Sequence, residues 1–383
     1  MARRGGYRHL IFLIDGTWLW PGSDSTLNVY SNVYHLNNLI EEKGKDGQAQ
    51  IVFYARGLGG VDGLRRYTAG GFSYGIDELV SDLYLNLCSN YEKGDKIYIF
   101  GFSRGAIVAR ALSGMISKGI LDAQYINRLE SVWRAYAGDN EVILPGAPPE
   151  VKIDTSGESN SYLEFCSEPR PKIEFVGIFD SVSGGHGITE IAQRLRIRER
   201  KVNSSVQNAV QILAIDEARK FFKPICWTGL KSSDDPNDSR HFEQIWMPGV
   251  HSDIGGAYQN RFIGNVSLLT MIDRIDHKTK LGIDLDRARS EYNIPLVPGS
   301  YVHIHNEYTK LWRIFSPIRK SRDLDLDIDQ NIHPLAELLK GKSIRYKNYV
   351  EQHFYKLPPG FESLKPCVEF HTTHFKGVKE LVG

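Results

Sequence analysis

Strand-like and helix-like patterns alternate along roughly the first 120 residues, and this alternation constrains the fold more than any other feature. Short apolar runs with the length of buried strands lie at residues 9–14, 50–55 and 96–100. Stretches with apolar residues at helical spacing follow them at 27–42, 76–91 and 106–119. A β-α-β-α-β-α order predicts a mostly parallel sheet with helices on both faces.

The rhythm breaks between residues 122 and 170 and then resumes. This segment holds one predicted helix, at 126–136, followed by a polar stretch rich in proline and glycine. We predict that it is an insertion that forms a lid. Further predicted elements are a strand at 173–179, a helix at 205–222 and a strand at 242–246.

Composition excludes several classes of function. The net charge is +1, which gives no ground for nucleic-acid binding. No apolar run approaches the roughly 20 residues of a membrane span, and the first is shorter than the roughly 7–15 residues of a signal-peptide core. The four cysteines are scattered, so we predict synthesis in the cytoplasm. Export by a machine that needs no signal peptide stays open.

The strand at 96–100 runs into Gly-Phe-Ser-Arg-Gly and then directly into a helical pattern. GxSxG between a strand and a helix is the nucleophile elbow of α/β hydrolases. The turn is tight, so Gly101 and Gly105 avoid clashes while the hydroxyl of Ser103 is lifted above the sheet edge. The backbone N–H of Arg104 then lies at a helix N-terminus, where it can stabilise an oxyanion. We therefore predict an α/β-hydrolase fold.

A serine hydroxyl needs a base, and in this fold an acid and then a histidine follow the serine along the chain. Asp180 follows a predicted strand, where the acid of this fold lies, although an aspartate there can also cap a turn. His251 lies among small residues in PGVHSDIGG and is the preferred base, with His186 as its rival. Asp253 can either replace Asp180 as the partner of the histidine or brace the histidine loop.

The first strand ends in Asp-Gly-Thr-Trp. An α/β hydrolase takes its second oxyanion donor from the loop after an early strand, and Gly16 and Thr17 hold that place. We predict that Asp15 fixes the loop by hydrogen bonds; the alternative is an ordinary turn. A phosphatase of the Asp-x-Asp-x-Thr type is excluded, because Leu13 stands two residues before Asp15.

Five segments, in this order, bring a family into view: LIFLIDGTW, GDKIYIFGFSRGAIVARALSGMISKGIL, FVGIFDSVSG, ILAIDEARKFFKPICW and IWMPGVHSDIGGAY. Together they resemble the α/β-hydrolase family that supplies the catalytic domain of type VI secretion phospholipase effectors. The resemblance covers about residues 7–275, with a weaker echo to about 350. It implies a triad of Ser103, Asp180 and His251, a DGT segment at the active site and a structural helix at IDEARKFF. It also implies phospholipid esters as substrates, cleaved as by a phospholipase A.

We thus predict a catalytic domain over residues 1–350, and a tail over 351–383 that packs on it or binds a partner. The predicted activity is serine hydrolysis of carboxylic esters, phospholipase A-like. A small-ester or thioester hydrolase without membrane contact and a catalytically silent scaffold are the alternatives. We predict no cofactor and no metal site. The predicted partner is the lipid or small-ester substrate, while transient membrane contact and an immunity or regulatory protein stay open.

Overall fold

The secondary structure is given by a computed structural model, which describes residues 6–16, 29–57, 75–137, 161–182, 201–228, 240–292, 302–308, 322–324, 330–345 and 353–367. Its strands are β1 His9–Ile14, β2 Gln50–Ala55, β3 Lys96–Phe102, β4 Ile120–Leu121, β5 Cys166–Glu168, β6 Ile173–Phe179, β7 Asn208–Ala214, β8 His241–Met247, β9 Val302–His303, β10 Asn331–Ile332, β11 Ser343–Arg345, β12 His353–Phe354 and β13 Lys365–Pro366. Its helices are α1 Asn32–Leu39, α2 Ile76–Asn90, α3 Arg104–Ile116, α4 Leu129–Ala137, α5 His251–Ile254, α6 Phe262–Lys278, α7 Leu285–Tyr292 and α8 Leu335–Leu339.

Eight strands form the central sheet, in the order β13-β10-β8-β7-β6-β3-β1-β2, and every pairing within it is parallel. The chain goes from β1 outward to β2 and then returns to β3 on the other side of β1. Such a reversal of strand order opens a crevice outside the carboxyl ends of the strands, where open α/β sheets bind ligands. The predicted site residues follow β1, β3, β6 and β8, so they all come to this edge.

Each face of the sheet carries its own apolar core. Along β1, Leu10 and Phe12 join a cluster with α2, α3 and α4. Ile11 and Leu13, which point the other way, join a cluster with α1, α6 and α8. A strand buried on both faces needs helices above and below, which confirms the predicted class of a parallel sheet covered on both sides.

The helix predicted at 205–222 is wrong. Residues 208–214 form β7, every residue of which is buried, and only one 3-10 turn follows, at Lys220–Phe222. A central parallel strand lacks alternation because both of its faces are covered, so its apolar run cannot be told from a buried helix. The structural helix that the resemblance implied at IDEARKFF is likewise replaced by a loop and this turn.

The predicted insertion is partly described. A 3-10 segment at Ala123–Arg128 leads into α4, whose Val132 and Trp133 are buried in the core. At its far end β5 pairs antiparallel with β4. Residues 138–160 lie outside the described residues, so the lid stays a prediction.

The described part of the predicted tail, residues 353–367, lies against the domain. There Phe361 packs edge-on against Trp246, and β13 extends the central sheet. Within the described ranges, no helix combines the length and the apolar character that crossing a membrane requires.

Candidate active site

Ser103 lies in the turn between β3 and α3, in a backbone conformation with φ 58° and ψ −120°. Positive φ is costly for a residue with a side chain, so this turn is strained. The flanking glycines permit it, since a Cβ on Gly101 would lie 2.5 Å from the carbonyl oxygen of Gly105. A Cβ on Gly105 would run into the carbonyl oxygen of Ile14, at the end of β1. The two glycines therefore leave room for the strained turn that holds Ser103 between β3 and α3.

The structure brings Ser103, His251 and Asp180 into one hydrogen-bonded line. Nε2 of His251 is 2.8 Å from Oγ of Ser103, and Nδ1 is 2.6 Å from Oδ2 of Asp180. His251 begins α5, at the edge reached by β8, and is 4% exposed. Its ring stacks on Phe102 and meets the edge of Phe222. Two aromatic rings thus fix the imidazole in the plane that joins the hydroxyl to the carboxylate.

Asp180 follows β6, is fully buried and also has a positive φ, 44°. Its Oδ1 accepts the backbone N–H of Ala214 at 3.0 Å, and both of its oxygens accept from Arg322. Burial alone would raise the pKa of Asp180, but the charge and hydrogen bonds of Arg322, together with those of His251, hold it well below its usual range. The carboxyl group of Asp180 is therefore ionised in the folded protein at neutral pH.

The backbone of the histidine is held by a second acid. The N–H of His251 donates to Oε2 of Glu217 at 3.3 Å, and Glu217 is clamped by Arg219 at 2.9 and 2.7 Å. Burial would raise the pKa of Glu217, but the Arg219 guanidinium lowers it. This buried pair fixes the start of α5.

Asp253 takes the bracing position of the two that the sequence left open. Its Oδ2 accepts the N–H groups of Val250 and His305, and its Oδ1 is 2.6 Å from Nδ1 of His305. It thus links the histidine loop to the chain after β9, while Asp180 is the partner of His251. The ring of His305 stacks on those of Tyr258 and His303. Across the described ranges, His, Cys, Asp and Glu side chains form no group of three that could hold a metal ion.

The loop after β1 lies beside the elbow, with Gly16 directly against the ring of Phe102. Asp15 bonds within this loop and to β2: its Oδ1 accepts the N–H of Gly16 at 2.6 Å, and its Oδ2 accepts the hydroxyl of Tyr54 at 2.5 Å. Burial raises the pKa of Asp15 to about 6, in spite of these bonds. The N–H of Gly16, a predicted oxyanion donor, is thus engaged by a carboxylate. Thr17 lies outside the described residues.

Several residues at the site were missed by sequence reasoning. Glu217 and Phe222 fell inside the stretch mistaken for a helix, and a correct strand assignment would have placed them at the sheet edge. Arg322 is separated from Asp180 by 142 positions, and no local pattern marks it. His186, the rival of His251, lies outside the described residues. Another histidine, His241, lies at the start of β8, 3.4 Å from Glu243.

Comparison with known proteins identifies one family. A family model described as T6SS, Phospholipase effector Tle1-like, catalytic domain matches residues 8–274 of this chain. Among curated proteins, the uncharacterized protein YEL023C of Saccharomyces cerevisiae (strain ATCC 204508 / S288c) is 30% identical over 236 residues, which are 58% of this chain and 33% of that protein.

Solved structures give more distant matches. One is a crystal structure of an uncharacterized protein from Pseudomonas aeruginosa, with a TM-score of 0.46, 16% identity and coverage of 76% of this chain and 49% of that chain. Another is the Tle1 effector bound to the VgrG spike from the Type 6 secretion system, with a TM-score of 0.37, 21% identity and coverage of 67% and 52%. This chain therefore spans about a third to a half of the length of the relatives that it matches.

Proposed function

This chain belongs to the family of Tle1-like phospholipase effector catalytic domains, and we propose on that basis that it is a serine hydrolase that cleaves carboxylic esters of lipids. The observation that carries the proposal is the line from the hydroxyl of Ser103 through His251 to the carboxylate of Asp180. The family supports phospholipids as the substrate class, with cleavage of an acyl ester as by a phospholipase A.

The first step is attack by Ser103 on the ester carbonyl. Asp180 binds the N–H at Nδ1 of His251, so the unprotonated Nε2 faces the serine hydroxyl at 2.8 Å. His251 takes the proton as the Ser103 oxygen bonds to the carbonyl carbon, and the ionised Asp180 stabilises the imidazolium that forms. His251 then gives this proton to the leaving alcohol, and an acyl-enzyme remains on Ser103. Water attacks the acyl group as His251 takes a proton from it, and His251 returns that proton to the oxygen of Ser103 as the acid leaves.

The negative charge on the carbonyl oxygen needs donors that point at it before the reaction begins. The N–H of Arg104 is one candidate, because it lies at the N-terminus of α3 directly after the nucleophile. The second donor in our proposal comes from the loop of Gly16 and Thr17. For the N–H of Gly16 to serve, it must turn away from Oδ1 of Asp15.

The test is labelling by a fluorophosphonate probe, which reacts with activated serines. The wild-type chain is compared with Ser103→Ala and with Ser117→Ala, a matched control at the end of α3 whose hydroxyl bonds only to the carbonyl of Gly114 among the described residues. We expect full labelling of the wild type and of Ser117→Ala, and none of Ser103→Ala. Phospholipid vesicles and a short-chain ester are assayed on the same samples.

The outcomes separate the candidate functions. Release of fatty acid from phospholipid that stops in Ser103→Ala supports the lipid esterase, whereas turnover of the short ester alone supports a small-ester or thioester hydrolase. A folded wild type that takes no label contradicts the proposal and favours a catalytically silent scaffold. Membrane contact and an immunity or regulatory protein remain predictions from the sequence.

A further inference from the structure

We propose that Arg322 is a positioning residue of the active site, which holds the carboxylate of Asp180 in the orientation that bonds to Nδ1 of His251 and sets the pH range over which the site reacts. Arg322 comes from the C-terminal part of the chain, beyond residue 274 where the family match ends. The inference deepens the proposed function and rests on it, since it concerns the same hydroxyl, imidazole and carboxylate.

The contact is a two-pronged ion pair in a buried place. Nη1 of Arg322 is 2.5 Å from Oδ1 of Asp180, and Nη2 is 2.8 Å from Oδ2. The same two nitrogens donate to the carbonyl oxygens of Ala214 and Phe222, each at 2.8 Å. Arg322 is 6% exposed and Asp180 is fully buried. A guanidinium fixed by two backbone carbonyls presents a rigid fork, which a lysine cannot copy.

The fork determines how the carboxylate is turned. Asp180 has a strained backbone, so its side-chain direction must be imposed by its surroundings. Its oxygens receive two bonds from Arg322, one from Ala214 and one from His251. Without the fork, the contacts that remain among the described residues are one to Ala214 and one to His251, so the carboxylate would be held less firmly in line with Nδ1 of His251.

The charge of Arg322 acts on the proton as well as on geometry. The acid of a triad stabilises the imidazolium, and a guanidinium on the same carboxylate opposes that effect because it repels a second positive charge. The guanidinium also lowers the pKa of Asp180 against the effect of burial, so the carboxylate keeps its charge at a lower pH than it would without Arg322.

Other charged and titratable groups lie on the elements around this edge, and they are Asp15, Arg104, Asp216, Glu217, Arg219, Asp253, His305 and Glu307. Glu217 accepts the N–H of His251 and is neutralised by Arg219, and Asp253 is bonded to His305. The charge of Arg322 also lowers the pKa of Glu217, after the larger effect of Arg219. Replacing Arg322 therefore removes the guanidinium that bonds to Asp180, while Glu217 keeps its ion pair with Arg219.

A second buried arginine offers a matched control. Arg274 makes the same two-pronged contact with Glu243, at 3.0 and 3.0 Å, and a further bond to Asp273. It is fully buried within α6, and its carboxylate partners are not those of the active site. Loss of Arg274 reports what a buried ion pair contributes to stability, without a change at Asp180.

The experiment measures the rate of fluorophosphonate labelling against pH for the full chain, with folding followed by circular dichroism. We compare the wild type with Arg322→Met, Arg322→Lys and Arg274→Met. The acid limb is the part of the pH profile where the labelling rate falls as the pH is lowered. In Arg322→Met we expect the midpoint of this limb to move to higher pH by at least about one unit, the size of effect that a neighbouring charge has on the pKa of a carboxylate. In Arg322→Lys the limb stays near the wild-type position, but the plateau rate falls at least tenfold. Arg274→Met loses stability and keeps the wild-type limb.

Other results overturn the inference. An acid limb that does not move in folded Arg322→Met, or one that moves equally in Arg274→Met, shows that Arg322 has only a structural role. If Arg322→Met does not fold, Arg322→Lys decides, because a wild-type plateau rate without the fork contradicts positioning. A folded wild type that takes no label at any pH overturns the proposed function itself, so the two failures are distinct.

Discussion

Asp15 and Asp180 occupy similar places in the fold, but their pKa values shift in opposite directions. Each follows a strand of the central sheet, β1 or β6, and each is fully buried at the same edge. Burial raises the pKa of Asp15 to about 6, and hydrogen bonds from Ser31, Tyr54 and Gly16 only moderate that rise. Burial pushes the pKa of Asp180 in the same direction, but Arg322 and His251 hold it well below its usual range.

The difference shows what keeps a buried carboxylate ionised. Neutral donors satisfy the oxygens of Asp15 without balancing the cost of removing a charge from water. A guanidinium in contact with Asp180 does balance it. Asp180 therefore stays ionised and can accept the hydrogen bond of a histidine, whereas Asp15 is protonated below a pH of about 6 and ionised above it. The same residue type at the same place in the fold thus has two electrostatic roles.

The largest expected effect comes from removing the charge of each aspartate in turn. In Asp180→Asn the amide no longer fixes the tautomer of His251, and we expect a loss of about 10⁴ in the rate of labelling at Ser103. In Asp15→Asn the amide oxygen can still accept one hydrogen bond, and we expect a loss smaller than about tenfold. Both rates are measured at pH 8 on folded protein. Equal losses would contradict the assignment of Asp180 as the partner of the histidine.

Sequence reasoning reached the parts of this comparison that are local. The apolar runs before Asp15 and Asp180 predict two strand ends, the GxSxG turn indicates Ser103, and the small residues of PGVHSDIGG favour His251 over His186. The same reasoning could not predict that the pKa values of Asp15 and Asp180 shift in opposite directions, because their local sequences, IDG and FDS, are alike. Arg322 causes this difference in pKa, and it contacts Asp180 only once the chain has folded.

The other differences have the same cause. Residues 208–214 were mistaken for helix because burial on both faces erases alternation, and the loop that carries Glu217 was lost with them. Both roles left open for Asp253 are chemically sound, and its contacts with His305, together with the bond of His251 to Asp180, favour the bracing role. Contacts between distant parts of the chain decided each of these points.

A smaller effect should appear in the pH dependence of stability. Because the pKa of Asp15 is raised on folding, its contribution to stability decreases as pH rises from about 4 to about 6. The Asp15→Asn variant lacks this decrease, so at pH 7.5 it should gain on the wild type by about 2 kcal/mol relative to their difference at pH 4. The free energy of unfolding in urea, measured for both chains from pH 4 to 7.5, provides the test.

Between pH 4 and 7.5, the effect of Asp15 on the free energy of unfolding is separate from that of Asp180. The pKa of Asp180 is lowered on folding, so its contribution is present above its unfolded pKa and is lost only as pH falls further, below about 4. Other titrating groups are common to both chains and cancel in the difference. Parallel stability curves would show that Asp15 is ionised in the folded protein at the same pH as in the unfolded chain.

The smallest effect concerns the donor that partly compensates Asp15. Tyr54→Phe removes the hydroxyl that bonds to Oδ2 of the ionised carboxylate, at a cost of about 1 kcal/mol where Asp15 is charged and much less where it is neutral. Tyr84→Phe is the control, because its hydroxyl donates to the neutral carbonyl of Gly119 and its loss should cost the same at every pH. Unfolding in urea at pH 4 and pH 7.5 separates the two variants. If both lose equal stability at both pH values, the hydroxyl of Tyr54 does not distinguish the charged form of Asp15 from the neutral one, and it does not moderate the rise in pKa that burial causes.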